Sequence, residues 1–320
     1  MTISISRRRA VQSVAALSVG MTGLAKTSFL FAQERFPSRP VEFVVPWGAG
    51  GGADQLARKL GKLIEPELKV SVPVVNVAGA TGNTGMTKLL TAQPDGHAMA
   101  ILIGDTLATI AGGAGRWKLA DVVPLGIMIR QPTGLFVKSD SKYKDFKEMV
   151  ADSKVNEIKV AILGFGSADE ILIKQMNAKG SKFRMVPFAS PGERYSSILG
   201  GHADVLMEQA GDIRSFLTSG QMRPVAFFAD APAPGYKEVP LAKSFDFPIV
   251  ISQFRAVVVR AGTDPKQAAA LASALEKAAT SAEFKTFLSD ELAFDNSFIA
   301  QKDAAAFLER ELKLIESNKG

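Results

Sequence analysis

Val41-Glu42-Phe43-Val44-Val45-Pro46-Trp47-Gly48-Ala49-Gly50-Gly51-Gly52-Ala53-Asp54 joins a β-rich run to a glycine run, and the glycine run to an amphipathic stretch. Leu56, Leu60, Leu63 and Ile64 recur at the spacing of one helical face, so a helix is expected over 54–68. Glycines let a backbone approach a ligand closely, and the free N–H groups and dipole at a helix start favour negative charge. The segment reads as a strand, an anion-cradling loop and a helix, with Asp54 at the N-cap or in the first turn. The alternative is a tight turn with no ligand.

The same unit recurs outward from this point. A strand over 72–77 precedes Gly79-Ala80-Thr81-Gly82-Asn83 and a helix carrying Met86, Leu89 and Leu90, and a strand over 98–103 precedes Gly104-Asp105-Thr106. A second series begins at Leu135-Phe136-Val137, with strands over 159–163, 185–188, 203–207 and 224–228 and turns at Gly166-Ser167 and Ser190-Pro191. The expected fold is α/β, with mostly parallel sheets covered by helices. Crossovers near 133–138 and 253–259 divide it into lobe 1, residues 33–135 plus 254–320, and lobe 2, residues 136–253. Small polar turns at the carboxyl ends of strands in two lobes converge on one cleft.

The chain has 320 residues, 47% of them hydrophobic, ample for a large core. It has no cysteine and only two histidines, His97 and His202, which excludes disulfides, thiolate nucleophiles and cysteine-based metal centres. The net charge of +6 owes much to Arg7, Arg8, Arg9 and Lys26, which lie among the first 32 residues without an acid. The remainder is nearly neutral, which argues against nucleic acid as a partner. Those 32 residues read as a cleavable signal peptide of twin-arginine type, with a Sec signal as the alternative, and the expected location is the periplasm.

Several chemistries are tested and set aside. Gly48, Gly50 and Ala53 fit the dinucleotide pattern, but the next strand ends Val75-Asn76-Val77, without the acid that would hold a ribose. Ser167 does not sit in the nucleophile-elbow pattern. Asp105, Asp169, Glu193, Glu208 and Asp212 are candidate acid/base or cation residues, yet their spacing matches no cation loop. No cofactor or metal is expected.

The ordered series Phe36-Pro37-Ser38-Arg39-Pro40, Val45-Pro46-Trp47, Gly50 to Asp54, Thr81-Gly82-Asn83-Thr84-Gly85, Pro94-Asp95-Gly96, Gly200-Gly201-His202-Ala203-Asp204 and Gly262-Thr263-Asp264-Pro265 resembles the tripartite tricarboxylate transporter substrate-binding (Bug/TctC) family. The resemblance implies a type II periplasmic binding fold, two α/β lobes joined by two crossing hinge strands. It implies a non-enzymatic, monomeric protein that clamps a small carboxylate and delivers it to two integral membrane transporter subunits. A di- or tricarboxylate, an aromatic acid and an acidic amino acid are all admitted, and a sensor module or enzyme on the same fold is the alternative.

Carried over by position, the resemblance puts Trp47, Gly50, Gly51, Gly52 and Asp54 on one wall of the cleft. Thr81, Gly82, Asn83, Thr84, Asp105 and Thr106 stand beside them, with Ser167, Ala168, Asp169 and Ser190 opposite. This chain departs from the family pattern at Ala168-Asp169-Glu170 and at Glu208, placing extra acids near a carboxylate site.

Overall fold

Alternate residues of β1 (Glu42–Val45) enter different layers of apolar packing. Phe43 and Val45 join Leu56, Leu60 and Ile64 of α1 (Gly52–Leu68), whereas Val44 faces the opposite layer. Each fully buried side chain of this size contributes about 1.5–3 kcal/mol. The computed structural model describes residues 35–318 apart from Ile249 and Ser252, so the expected leader over 1–32 lies outside the described residues. No helix among the described residues is long and apolar enough to cross a membrane.

After α1 come β2 (Val74–Asn76), α2 (Asn83–Thr91), β3 (Ala98–Ile103), α3 (Gly104–Ala111) and β4 (Val122–Gln131). The chain changes sheets at Pro132 and continues through β5 (Thr133–Lys138), α4 (Phe146–Ser153), β6 (Ile158–Ile162), α5 (Ala168–Ala178) and β7 (Phe183–Pro187). Next are α6 (Pro191–Leu199), β8 (Val205–Gln209), α7 (Arg214–Thr218) and β9 (Met222–Phe228). The return consists of β10 (Gln253–Arg260), α8 (Pro265–Thr280), α9 (Ala282–Asp290), β11 (Ile299–Ala300) and α10 (Gln301–Asn318).

Two α/β lobes result, one on a sheet ordered β11-β4-β10-β3-β1-β2 and one on a sheet ordered β7-β6-β8-β5-β9. Both sheets are mixed rather than mostly parallel. In the first, β10 runs antiparallel to its neighbours β3 and β4; in the second, β5 runs antiparallel to β8 and β9. The reason is geometric: β5 and β10 are the first strands after each change of sheet. Each begins just after the chain leaves the other sheet, so β10 runs back against the earlier β3 and β4, and the later β8 and β9 run against β5. This brings Gln253 and Arg255, at the start of β10, to the same end as the loops that follow β1 and β3.

Two elements escape a pattern reading. β4 contains Pro124 and Gly126, both poor strand residues, and it accommodates them through irregularities in its register with β10. α4 is short and is capped by Asp145, whose carboxylate accepts the Glu148 N–H at 2.8 Å.

Candidate functional site

The loops before α1, α3, α5 and α6, the end of β8 and the start of β10 surround a cleft with about 450 Å³ of empty space, counting the part open to solvent. Trp47, Gly51, Gly52 and Asp105 line it from the first lobe, and Asp169, Arg194, Glu208 and Asp212 from the second. Gln253 and Arg255 of β10 complete it.

At the start of α1, Gly50 has φ +84°, a conformation that glycine adopts without strain. Its N–H donates to Asp54 Oδ2 at 2.9 Å, and Arg58 pairs with the same carboxylate at 2.9 Å. Burial pushes the Asp54 carboxyl upward, but the bonds from Arg58 and Gly50 outweigh it and hold it below its ordinary value. Asp54 thus ties the loop to the helix. Gly52 serves close approach: a Cβ there would fall on the Asp212 carboxylate and the Arg255 guanidinium.

The cleft floor is a network of buried charges. Arg194 pairs with Glu208, whose Oε2 also accepts the Tyr195 hydroxyl at 3.0 Å. Arg255 bonds Asp212 at 2.5 Å and Gln131 Oε1 at 2.7 Å, and lies 3.9 Å from Glu291. Asp105 accepts the Gln253 amide and, at 2.9 Å, the Ala168 N–H, while Asp169 accepts the Leu163 N–H at 3.0 Å. Burial raises the carboxyls of Asp105, Asp169 and Glu208 above their ordinary range; Asp169 is pushed further by the charge on Asp105, and Glu208 by Asp212. Burial lowers Arg194, but its acidic neighbours, Glu208 first, more than reverse this and keep it charged. Four buried polar atoms of cleft residues have no hydrogen-bond partner among the described residues: the donors Trp47 Nε1 and Arg194 Nε, and the acceptors Asp212 Oδ1 and Gln253 Oε1.

Of the residues nominated from sequence, Trp47, Gly51, Gly52, Asp105 and Asp169 line the cleft. The others are found in the loops around it or in the first turns of the helices that follow those loops. Thr81 Oγ1 donates to Phe165 O at 2.7 Å, reaching from the first lobe to the second. Asn83 donates to Ala80 O at 2.9 Å, and Thr84 packs against Gly79. Gly82 lies against Thr106 and Trp47, and Thr106 itself is fully buried. Ser167 caps α5, accepting the Glu170 N–H at 3.3 Å and donating to Gly164 O at 2.5 Å. Ala168 supplies the N–H held by Asp105, and Ser190 occupies the N-cap of α6 without a side-chain cap bond.

Arg194, Gln253 and Arg255 carry the cleft chemistry yet were not nominated, and Glu208 and Asp212 were noted only as acids. The legible signal was Gln253 and Arg255 standing two apart beside the apolar run Ala256-Val257-Val258-Val259, on one face of a strand. Neither histidine lines the cleft. His97 accepts the Ser38 N–H at 3.3 Å, and His202 lies against Gly200.

A family model described as "Tripartite tricarboxylate transporter family receptor" matches residues 56–317. Protein BugT of Bordetella pertussis is 26% identical over 243 residues, 73% of this chain and 74% of that protein. A TctC solute-binding protein from Polaromonas, solved without ligand, is 26% identical with a TM-score of 0.64, covering 88% of this chain and 98% of its own. MatC from Rhodopseudomonas palustris, solved with bound malate, shares the fold with a TM-score of 0.82 at 23% identity, over 89% of this chain and 100% of its own. The match of that model to residues 56–317, most of the sequence, establishes that this chain belongs to the tripartite tricarboxylate transporter receptor family.

Proposed function

We propose that the protein captures a small carboxylate in the periplasm between its two lobes and delivers it, without chemical change, to a transporter of two integral membrane subunits. The observation that carries this reading is the pair of buried donors without partners, Trp47 Nε1 and Arg194 Nε, in the cleft that also holds the start of α1. A carboxylate there gains charge-assisted hydrogen bonds from groups already oriented by the fold. The malate held by MatC, a relative in fold, supports a small acid as the ligand class. Family membership supports the transporter partner.

In this reading Trp47, Gly51 and Gly52 receive the carboxylate. Gly50, Asp54, Thr81, Gly82, Asn83, Thr84 and Thr106 shape the loops of lobe 1, and Ser167, Ala168 and Ser190 those of lobe 2. Lobe 1, residues 33–135 plus 254–320, and lobe 2, residues 136–253, close over a monomeric protein's single ligand. Closure excludes water and strengthens the bonds inside.

The test is thermal unfolding against a panel of di- and tricarboxylates, aromatic acids and amino acids. A ligand at a hundredfold its Kd adds about 2.7 kcal/mol of stability. A saturable rise in Tm with one acid is the expected outcome; no rise with any carboxylate, in folded protein, refutes the reading.

A further inference from the structure

We propose that the ligand is a zwitterion, one carboxylate with one protonated amine, and that Asp212 Oδ1 and Gln253 Oε1 receive the amine. The proposal deepens the carboxylate reading and rests on it for the other end of the ligand.

Charge comes first. Asp105, Asp169, Glu208 and Asp212 line the cleft against Arg194 and Arg255, and each arginine already has an acidic partner. Glu291 adds a further acid behind Arg255, and Tyr195 adds only a neutral hydroxyl. A second or third carboxylate on the ligand would find neither cleft arginine without an acidic partner, and would be desolvated on closure. A zwitterion brings no net charge.

The unpartnered atoms point the same way. The Asp212 side chain is 4% exposed and Gln253 is 7% exposed; Gln253 Oε1 has no partner among the described residues, and the Asp212 carboxylate lies between Arg255 and the Glu291 carboxyl. The orientation of the Gln253 amide is set by its neighbour, because its nitrogen donates to the Asp105 carboxylate and leaves the oxygen free. Gln253 and Arg255 stand on the same face of β10, and Arg255 holds Asp212, so both acceptors border the start of one strand. An ammonium offers three N–H donors to such a place and a bare carboxylate offers none. The two free donors, Trp47 Nε1 and Arg194 Nε, suit the carboxylate of the same molecule.

Calorimetric titration with matched pairs tests this: L-alanine against propionate and 4-aminobutyrate against butyrate, with the dicarboxylates L-glutamate, glutarate and succinate and the tricarboxylate citrate alongside. In the pair that binds, the single-carboxylate amino acid is expected to be tighter than its deaminated partner by about tenfold or more. Gln253→Leu should bring that ratio towards one, and Asp212→Asn, which keeps the side-chain shape, should do the same. The wild-type comparison does not depend on either variant folding. If a deaminated acid or a di- or tricarboxylate binds as tightly as the single-carboxylate amino acids or tighter, the zwitterion proposal is overturned and the carboxylate reading stands. If no carboxylate-bearing compound binds, the carboxylate reading falls and takes this proposal with it.

Discussion

Asp105, in the first turn of α3, accepts the backbone N–H of Ala168, the first residue of α5, at 2.9 Å across the cleft. A carboxylate of the first lobe therefore caps a helix of the second, where the aligned peptide dipoles favour negative charge. Its other oxygen accepts the Gln253 amide, so one buried side chain ties α3, α5 and β10 together. The two lobes thus meet through a hydrogen bond to a buried carboxyl.

Asp105→Ala should destabilise the protein by about 1–3 kcal/mol, because it strips acceptors from buried donors. Asp105→Asn should cost less, since its carbonyl can still accept the Ala168 N–H. Urea unfolding of the three proteins measures the order. An alanine variant as stable as wild type would mean that the cross-cleft bond contributes nothing.

Gly52→Ala should leave the secondary structure intact and remove most ligand binding. Alanine favours the helix by about 1 kcal/mol over glycine, but its Cβ would displace the Asp212–Arg255 ion pair from the cleft. Affinity for whichever acid binds wild type should fall by about tenfold or more. Gly50→Ala is the control: its φ of +84° costs an L-residue about 1–2 kcal/mol, yet nothing lies within 4 Å of the added methyl. Circular dichroism and titration calorimetry separate the two, and unchanged affinity in Gly52→Ala would remove the close-approach argument.

Glu291 makes stability fall as pH rises. Burial, and then the charge on Asp212, push its carboxyl from an ordinary 4.5 up to about 8, against the pull of Arg255. The folded state therefore holds a proton that the unfolded state has released. The stabilisation is complete below about pH 4.5 and is lost as pH climbs through about 8. Asp105, Asp169 and Glu208 act with the same sign. Urea midpoints at pH 5 and pH 8 should drop across that interval in wild type and drop less in Glu291→Gln. Equal drops would show that Glu291 keeps an ordinary pKa.

Much of the architecture was legible because its signals are local. Leu56, Leu60 and Ile64 repeat at helical spacing and are fully buried against the β1 side chains Phe43 and Val45. The strand over 98–103 is found at those residues as β3. β4 was missed because Pro124 and Gly126 oppose strand pairing, and only its partner β10 supplies the irregular register that tolerates them. The antiparallel direction of β5 and β10 was equally invisible, since direction follows from how the lobes connect.

For the cleft the division is sharper. The sequence by itself determined the glycine-rich start of α1, the recurring turns after strands and the acids at Asp105, Asp169, Glu208 and Asp212, because each is a property of neighbouring residues. Tertiary structure alone decided which of them meet. Arg194, Asp212 and Arg255 are far apart in sequence, and only the two crossings between sheets bring them beside Gly52 and Trp47. It also decided which polar atoms are left without partners, because whether a buried donor or acceptor is satisfied depends on every group packed around it and not on its own residue type.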